Sequence, residues 1–276
     1  MGSLKMKKLI FGSGKVASVI KDEDTIIVSH SQCDITDYDS VVHVLKEIQP
    51  DVAINCAAKT NLEYCQMNRE ESYRVNTLGP INLIQAASRP RIKLLHISSG
   101  CLFDGNDFIS TEETIPSPAV WYTWTKLWAD QYIQNYGYEN YLILRPRQLI
   151  SKKPHPTNMI TKFSKMSTIP AITEPNSLTC IEDFKLMINH LIDKDETGIF
   201  NCCNTGTVSP YDIAEKIKES VNPSLIIEKS SYEDLLKILP NRRVNTILSC
   251  EKLIKSGFRP RSASEALGWC IENYGS

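Results

Sequence analysis

The chain has 276 residues, of which 42% are hydrophobic and 23% charged, a composition typical of a soluble globular protein that excludes disordered, collagen-like and coiled-coil classes. Its 31 basic residues nearly balance 32 acidic ones, so no charge excess favours nucleic acid or a membrane surface as a partner. The nine cysteines include no Cys-x-x-Cys pair, which argues against a disulfide framework or a metal site and favours a reducing, cytoplasmic compartment.

Short apolar runs alternate with amphipathic stretches in the first half of the chain. The predicted strands are Lys8–Phe11, Thr25–Val28, Asp51–Asn55, Lys93–Ile97 and Tyr141–Leu144, and the predicted helices are Asp37–Ile48, Glu70–Ala87 and Trp121–Tyr136. Continuous apolar runs of this length suit parallel strands that are buried on both faces. The alternation therefore predicts an α/β fold with a Rossmann-type, doubly wound parallel sheet.

The alternation of apolar runs and amphipathic stretches becomes less regular after Pro146. The remaining predicted elements are helices near 158–167, 181–193, 210–220, 231–239 and 263–273, and a strand at Gly198–Cys203. We interpret residues 1–5 as a leader added by cloning, residues 6–150 as a nucleotide-binding domain, and residues 151–276 mainly as a smaller α/β substrate-binding cap. Some segments of the second half are expected to return to the first sheet. No run reaches the roughly 18 apolar residues of a membrane span.

A glycine-rich loop follows the first predicted strand. Gly12, Gly14 and Ala17 form a G-x-G-x-x-A pattern that opens a helix. Small residues there let backbone N–H groups approach a pyrophosphate. The pattern predicts a dinucleotide site, and the loop residues Ser13, Lys15 and Val16 belong to it.

The second predicted strand ends in Val28-Ser29-His30-Ser31, without the carboxylate that usually binds the ribose of NAD. Hydroxyl groups, a histidine and Lys15 would instead meet a 2′-phosphate. We therefore expect NADPH as the cofactor, with NADH as the alternative. Asp34 and Ile35 are candidates for ribose or adenine contacts.

Tyr122 and Lys126 form a Y-x-x-x-K pattern on one face of a predicted helix. An ammonium beside a phenol lowers the phenol pKa, so a tyrosine in this setting can exchange protons near neutrality. Ser99, at the end of the fourth predicted strand, can offer a hydroxyl to a substrate carbonyl. After the third strand, the small residues Cys56, Ala57 and Ala58 leave room for a flat cofactor.

These motifs occur in the order found in extended short-chain dehydrogenases/reductases, and the sequence resembles that family. The resemblance includes Arg145-Pro146 and implies that Arg145 contacts the cofactor. It also implies that Tyr122 protonates the carbonyl oxygen during hydride transfer, that Lys126 binds the nicotinamide ribose, and that Ser99 polarises the carbonyl. The loop is one residue shorter than the usual G-x-x-G-x-x-G of the family.

Two branches of the family resemble the segment from His96 to Gly105. In dTDP-4-dehydrorhamnose reductases this segment reads S-T-D-Y-V-F-D-G, whereas here Gly100 and Cys101 replace the Asp-Tyr pair. The plant UDP-4-keto-6-deoxyglucose 3,5-epimerase/4-reductases have T-G-C-I-F, which is similar to Ser99–Phe103. Their N-F-I-T-K, P-N-S-M-T and R-S-N-N-E-L stretches are similar to Asn158–Lys162, Pro175–Thr179 and Arg243–Leu248.

The resemblance to the plant enzymes implies an epimerase acid/base pair at Cys101 and Lys162, with His155 as a rival to Lys162. It further implies substrate contacts from Lys59, Asn158, Asn176, Arg243 and Asn245. An arginine suits a diphosphate, which its guanidinium can bind in a bidentate manner.

The expected function is 3,5-epimerisation and NADPH-dependent 4-keto reduction of UDP-4-keto-6-deoxy-D-glucose to UDP-L-rhamnose, with a separate 4,6-dehydratase supplying this ketone. One alternative is a reductase that acts only on an already epimerised dTDP sugar. Another is a non-catalytic subunit resembling the methionine adenosyltransferase β-subunit. The choice between uridine and thymidine stays open, as does the oligomeric state, for which a homodimer is the expected assembly.

Overall fold

The structure is a computed structural model that describes residues 6–276, apart from the side chains of residues 106, 107 and 238; the leader expected at residues 1–5 lies outside the described residues. The strands are β1 (Lys8–Phe11), β2 (Thr25–Val28), β3 (Val52–Asn55), β4 (Lys93–Ile97), β5 (Gly105–Ser110), β6 (Tyr141–Arg145), β7 (Leu149–Ile150), β8 (Thr168–Ile172), β9 (Thr179–Cys180), β10 (Gly198–Asn201), β11 (Ile226–Ser230) and β12 (Thr246–Leu248). The helices are α1 (Lys15–Ile20), α2 (Tyr38–Ile48), α3 (Leu62–Met67), α4 (Arg69–Tyr73), α5 (Gly79–Ser88), α6 (Trp121–Asn135), α7 (Met159–Ser164), α8 (Ile181–Asp193), α9 (Pro210–Ser220), α10 (Tyr232–Ile238), α11 (Glu251–Lys255) and α12 (Ala263–Glu272).

Six of the strands form one parallel sheet in the order β2-β1-β3-β4-β6-β10. Helices α1 and α8 cover one face, and α2 and α5 pack together on the other, so each face carries its own apolar core. The predicted α/β class with a doubly wound parallel sheet is confirmed. The chain order reverses between β1 and β3, and in such sheets a ligand crevice opens at the carboxyl ends of the strands at that point.

The second half of the chain contributes to both parts of the molecule. Strand β10 pairs with β6, and Phe184 of α8 is buried in the same core as Ile10 of β1. A separate core joins α7, α9 and α12 with β8, around residues such as Ile213 and Leu267. This second core is built mainly from the segment expected to form the cap, which follows the carboxyl end of β6 along the chain. The role of that segment in binding substrate stays a prediction.

The helix predicted over Glu70–Ala87 is interrupted. The chain forms α4, then a π-helical turn at Arg74–Leu78, and then α5. Pro80 has no N–H to continue the hydrogen-bond ladder, which explains a break just before it. The turn buries Asn76, whose side chain bonds to both the N–H and the carbonyl of Lys59.

Residues 6–276 contain no helix that is long and apolar enough to cross a membrane.

Candidate active site

The loop after β1 lies against the end of β3. Gly12 has a φ of +95°, and a Cβ atom built there would lie 2.9 Å from the Ala57 backbone nitrogen. The Gly12 N–H donates to the Val28 carbonyl at 2.9 Å, and the Cys56 N–H donates to the Phe11 carbonyl at the same distance. Only glycine fits at this position, because φ is positive and the two backbone segments pass too close together to leave room for a side chain.

The same loop leaves space for a ligand. A Cβ atom at Gly14 would meet nothing within 4 Å, and Ser13 and Gly14 are exposed. Lys15 donates to the Leu149 carbonyl at 3.2 Å, and burial, together with the nearby charge of Lys162, lowers its pKa to about 8. Val16 packs against the core behind the loop. This loop fits the pyrophosphate of a dinucleotide. The backbone packs closely at Gly12, the space at Gly14 is open, and Lys15 provides an amine.

A cavity of about 580 Å³ lies beyond β2. The Asp34 carboxylate lines it and accepts a hydrogen bond from the Thr36 N–H at 2.9 Å. Ile35 is buried, and its side chain lies where a Cβ on Gly79 would sit. The cavity is also lined by His30, Arg69, Glu70, Glu71 and Arg74. Sequence reasoning missed Arg69 and Arg74, because they lie on α4 and on the π-helical turn after it, far along the chain from the loop.

The Ser99 and Tyr122 side chains meet at the end of β4. Both residues are buried, with exposed fractions of 6% and 8%. Burial raises the pKa of Tyr122 well above its ordinary value, the neighbouring Cys101 raises it further, and a hydrogen bond with the Ser99 side chain lowers it. The pair can hold a carbonyl oxygen between two hydroxyl groups.

Lys126 lies one helical turn after Tyr122 and is 1% exposed. Its amine donates to the Ile97 carbonyl at 2.8 Å and lies 3.2 Å from His96 Nε2. Burial lowers the pKa of Lys126 to about 8, while the charges of Asp130 and Cys56 act in the opposite direction. These contacts join Lys126 to β4, and the expectation that Lys126 lowers the pKa of the Tyr122 phenol stays a prediction.

Cys101 is in a 3-10 turn that starts directly after Ser99. The Cys101 N–H donates to the Ser99 hydroxyl at 3.1 Å, and the residue is half-buried. Arg147 donates from Nη1 to the Cys101 sulfur at 3.2 Å, and the Arg147 backbone N–H donates to the Thr179 hydroxyl at 3.0 Å. The thiol is therefore close to the Tyr122 phenol and to a guanidinium.

Arg147 was not singled out from the sequence. It stands two residues after Arg145, and side chains two apart in an extended segment share a face, so the pattern alone offered no way to separate them.

Lys162 is exposed on α7, and its charge acts on Lys15 and on Glu63. His155 Nδ1 lies 2.9 Å from the Thr157 hydroxyl. The described contacts place Lys162 between the phosphate loop and α3, and they join neither Lys162 nor His155 to Tyr122.

Two predicted ligand residues are buried and make contacts within the protein. Arg145 is 2% exposed, pairs with Asp130 at 3.4 Å and lies over the Phe103 ring. Asn158 is fully buried; it caps α7 by accepting from the Ile160 N–H and donates to the Ser151 carbonyl. The predictions of ligand contacts from these two residues stay predictions.

The other predicted substrate residues lie at the junction of cap and sheet. Arg243 pairs with Glu63 of α3, and Lys59 pairs with Glu71 at 2.7 Å. The remaining two are asparagines. Asn176 accepts from the Thr246 N–H at 3.2 Å, and Asn245 donates to the Pro175 carbonyl at 2.9 Å but has a buried Oδ1 without a partner. A buried oxygen without a hydrogen-bond partner is rare in native proteins, which makes Asn245 Oδ1 notable at this position.

Comparison with known sequences identifies similar proteins. A family model described as the RmlD substrate binding domain matches residues 12–276. A bifunctional dTDP-4-dehydrorhamnose 3,5-epimerase/dTDP-4-dehydrorhamnose reductase of Arabidopsis thaliana is 26% identical over 261 residues, which cover 89% of this chain and 85% of that protein. A trifunctional UDP-glucose 4,6-dehydratase/UDP-4-keto-6-deoxy-D-glucose 3,5-epimerase/UDP-4-keto-L-rhamnose-reductase of the same plant is 25% identical, and the match covers 95% of this chain but 41% of that protein.

Two solved structures have nearly the same fold. The dTDP-4-dehydrorhamnose reductase of Bacillus anthracis, in complex with NADP, superimposes with a TM-score of 0.88 at 24% identity, covering 98% of this chain and 99% of that one. The UDP-rhamnose synthase of Acanthamoeba polyphaga mimivirus superimposes with a TM-score of 0.86 at 26% identity, covering 97% and 99%. Since the family model spans most of the sequence, the chain belongs to the RmlD-type dTDP-4-dehydrorhamnose reductase family of extended short-chain dehydrogenases/reductases, a family of nucleotide-sugar 4-keto reductases.

Proposed function

We propose that the protein is a bifunctional enzyme that inverts C3 and C5 of UDP-4-keto-6-deoxy-D-glucose and then reduces C4, giving UDP-L-rhamnose. The observation that carries the proposal is the position of Cys101, whose thiol lies beside the Tyr122 phenol and accepts a hydrogen bond from Arg147 at 3.2 Å. A plain reductase needs no thiol at this place. A thiol can exchange a proton with a carbon acid, which a 3,5-epimerase requires.

The chemistry requires a proton acceptor on one face of the sugar and a donor on the other. The C4 ketone acidifies the C3 and C5 protons, and removal of either one leaves an enolate whose oxygen Ser99 and Tyr122 would hold. Return of a proton to the opposite face inverts the carbon. Cys101 is the proposed group on one face, and Lys162 on the other, with His155 as its rival.

Reduction follows epimerisation, because it removes the ketone that makes the neighbouring protons acidic. NADPH supplies the hydride to C4 when it is bound. Tyr122 donates its proton to the oxygen on C4, and Ser99 keeps that oxygen in place. The protonated phenol required for this step is favoured by the burial that raises the Tyr122 pKa.

NADPH is the proposed cofactor because the described residues fit it. The loop at Gly12 and Gly14 leaves the space for a pyrophosphate, and Arg69, Arg74 and His30 line the cavity next to Asp34. Guanidinium groups match a 2′-phosphate in geometry and charge. The proposed cofactor contacts also include Cys56, Ala57 and Ala58, which form the opposite wall.

The test separates epimerisation from reduction. The protein is incubated with UDP-4-keto-6-deoxy-D-glucose in D2O without NADPH, and deuterium at C3 and C5 is measured by NMR. Cys101→Ala should lower the rate of wash-in at one or both carbons by at least about 100-fold, the range of a lost acid or base. The same variant should still reduce an already epimerised ketone with NADPH at close to the wild-type rate.

Wash-in that persists at both carbons in Cys101→Ala would reject the epimerase assignment and leave the reductase-only alternative. Running the dTDP-linked ketone in parallel determines the nucleotide preference. Lys162→Met and His155→Phe, assayed in the same way, show which residue serves the second face.

A further inference from the structure

Behind the predicted catalytic lysine lies a cluster of buried polar side chains that the proposed reaction does not use. Lys126, His96 and Asp130 have exposed fractions of 1%, 0% and 0%, and Asn55 of β3 is 1% exposed. Burying three ionisable groups together is costly unless their hydrogen bonds are satisfied. The donor and acceptor atoms of these side chains determine the direction of each hydrogen bond in the cluster.

Asn55 fixes the tautomer of His96. The Ala57 N–H donates to Asn55 Oδ1 at 3.0 Å, so the amide nitrogen of Asn55 must be the atom that faces His96 Nδ1 at 3.1 Å. That nitrogen is a donor, and His96 Nδ1 must therefore accept. Burial and the Lys126 charge hold the His96 pKa well below its ordinary value, so the ring is neutral and carries its single proton on Nε2.

The Nε2–H of His96 faces the amine of Lys126 at 3.2 Å. An ammonium group has no lone pair and cannot accept this hydrogen bond, whereas a neutral amine can. The amine also donates to the Ile97 carbonyl at 2.8 Å, which suits either form. The contact between His96 and Lys126 thus stabilises the uncharged form of the lysine.

Asp130 offers the His96 proton a second acceptor. Its Oδ2 accepts from the Ser98 hydroxyl at 2.8 Å and from Arg145 at 3.4 Å. Its Oδ1 is buried without a hydrogen-bond partner and lies 3.9 Å from His96 Nε2. A small rotation of the imidazole would bring Nε2–H onto this oxygen and release the amine.

We propose that His96 and Asp130 are positioning residues that act as a two-position switch for the charge of Lys126. With the Nε2–H of His96 directed at the amine, Lys126 is neutral; with Nε2–H directed at Asp130 Oδ1, Lys126 is an ammonium. The titratable and charged groups recorded around the amine are His96 from β4, Asp130 from α6 and Cys56 from the loop after β3, with Arg145 of β6 pairing with Asp130. The two positions let Lys126 gain and lose a proton in the neutral range.

The switch matters for the NADPH-dependent reduction proposed above, on which its use in catalysis rests. An ammonium at Lys126 attracts the proton-deficient phenolate that Tyr122 leaves after donating its proton, and a neutral lysine does not. The charge of Lys126 itself is a property of the chain and can be measured without cofactor or substrate. A failure of the proposed function therefore leaves this test intact.

The test measures two NMR signals in the cofactor-free protein. With 15N-labelled histidine, His96 should show a protonated Nε2 and an unprotonated Nδ1, assigned by the loss of its signals in His96→Gln. With 13Cε-labelled lysine, one resonance, absent in Lys126→Met, should titrate near pH 8, where burial places the Lys126 pKa.

Two substitutions should move the Lys126 titration in opposite directions. His96→Gln replaces the N–H donor with an amide that can direct its oxygen at the ammonium, so the midpoint should rise by about half to one pH unit, the effect of one buried hydrogen bond. Asp130→Asn removes the negative charge and should lower the midpoint. In the pH–rate profile of NADPH-dependent ketone reduction, the midpoint at the high-pH side should shift in the same direction as the Lys126 midpoint in each variant.

A His96 ring protonated on Nδ1 would overturn the proposal, as would a Lys126 midpoint unchanged in His96→Gln. If Asp130→Asn unfolds because Arg145 loses its partner, the tautomer of His96 and the His96→Gln titration still decide the question. Loss of activity with an unchanged pH profile in His96→Gln would show a purely structural role and would also overturn it.

Discussion

Gly12 and Gly14 look equivalent in the G-x-G-x-x-A pattern, but their surroundings differ. Gly12 has a positive φ and is pressed against Ala57. Gly14 has φ −75° and ψ −172°, a conformation open to any residue, and no atom lies where its Cβ would be. The first glycine is required by the fold, and the second leaves space for a ligand.

Substituting each glycine with alanine should separate these roles. Gly12→Ala should destabilise the cofactor-free protein by about 2 kcal/mol or more, because alanine is strained at positive φ and its Cβ would clash with the Ala57 backbone. Gly14→Ala should change stability by less than about 0.5 kcal/mol and still weaken NADPH binding. Thermal unfolding without cofactor and NADPH titration by fluorescence measure the two effects. If Gly12→Ala is as stable as the wild-type protein, the proposed close packing of Gly12 against the Ala57 backbone is wrong.

The proximity of individual site residues was predictable where short sequence motifs at the ends of strands and helices indicate it. Ser99, Tyr122 and Cys101 lie close together, as their positions after one strand and at the start of one helix suggested. The burial of Arg145 could not be predicted from the sequence, because it depends on a pair with Asp130 of helix α6, 15 residues earlier in the chain. The direction of the Lys126 amine likewise depends on His96, a residue that a sequence pattern does not connect to it.

At the level of elements, the main strands were predictable because each is a short apolar run buried on both faces. The helical region before β4 was not, since α3, α4, the π-helical turn and α5 follow one another with few sequence breaks. The small pairs β5–β12 and β8–β11 were missed, because each joins segments far apart in the chain. Strand β11 is also largely exposed and lacks an apolar pattern.

Glu63 of helix α3 forms an ion pair with Arg243. Burial raises the pKa of Glu63, but the hydrogen bond from Arg243 and the positive charges of Arg243 and Lys162 outweigh it and hold that pKa below its ordinary value. If Arg243 binds the substrate diphosphate, the Glu63 carboxylate competes with that diphosphate. Glu63→Gln should then tighten UDP binding about two- to fivefold at low salt, the range expected for an exposed ion pair. Calorimetry measures the change.

The control for this prediction is Glu219→Gln, which makes the same charge change in an exposed pair with Lys216 on α9. It should leave UDP affinity unchanged. Equal tightening in both variants would mean that net charge, and not release of Arg243, is responsible. Weaker UDP binding in Glu63→Gln would mean that the ion pair supports the site by ordering the loop that carries Arg243.

At the scale of the whole molecule, the accessibility of the cysteines reflects how the two halves of the chain pack together. Seven of the nine thiols are buried, and only Cys56 and Cys101 are partly accessible. One accessible thiol lies beside the phosphate loop and the other beside Tyr122. A composition with nine free thiols gave no means of predicting which were accessible, because burial depends on how both halves of the chain pack.

Reaction with Ellman's reagent at pH 8 should therefore show one fast thiol, from Cys101, and one slow thiol, from Cys56. Burial raises the pKa of Cys56 to about 12, so little of it is the reactive thiolate at this pH, and its rate should increase as the pH rises. The other seven should react only after unfolding in guanidinium. Cys101→Ala should abolish the fast phase and leave the slow one, whereas three or more fast thiols in the native protein would contradict the packing of the cap against the sheet.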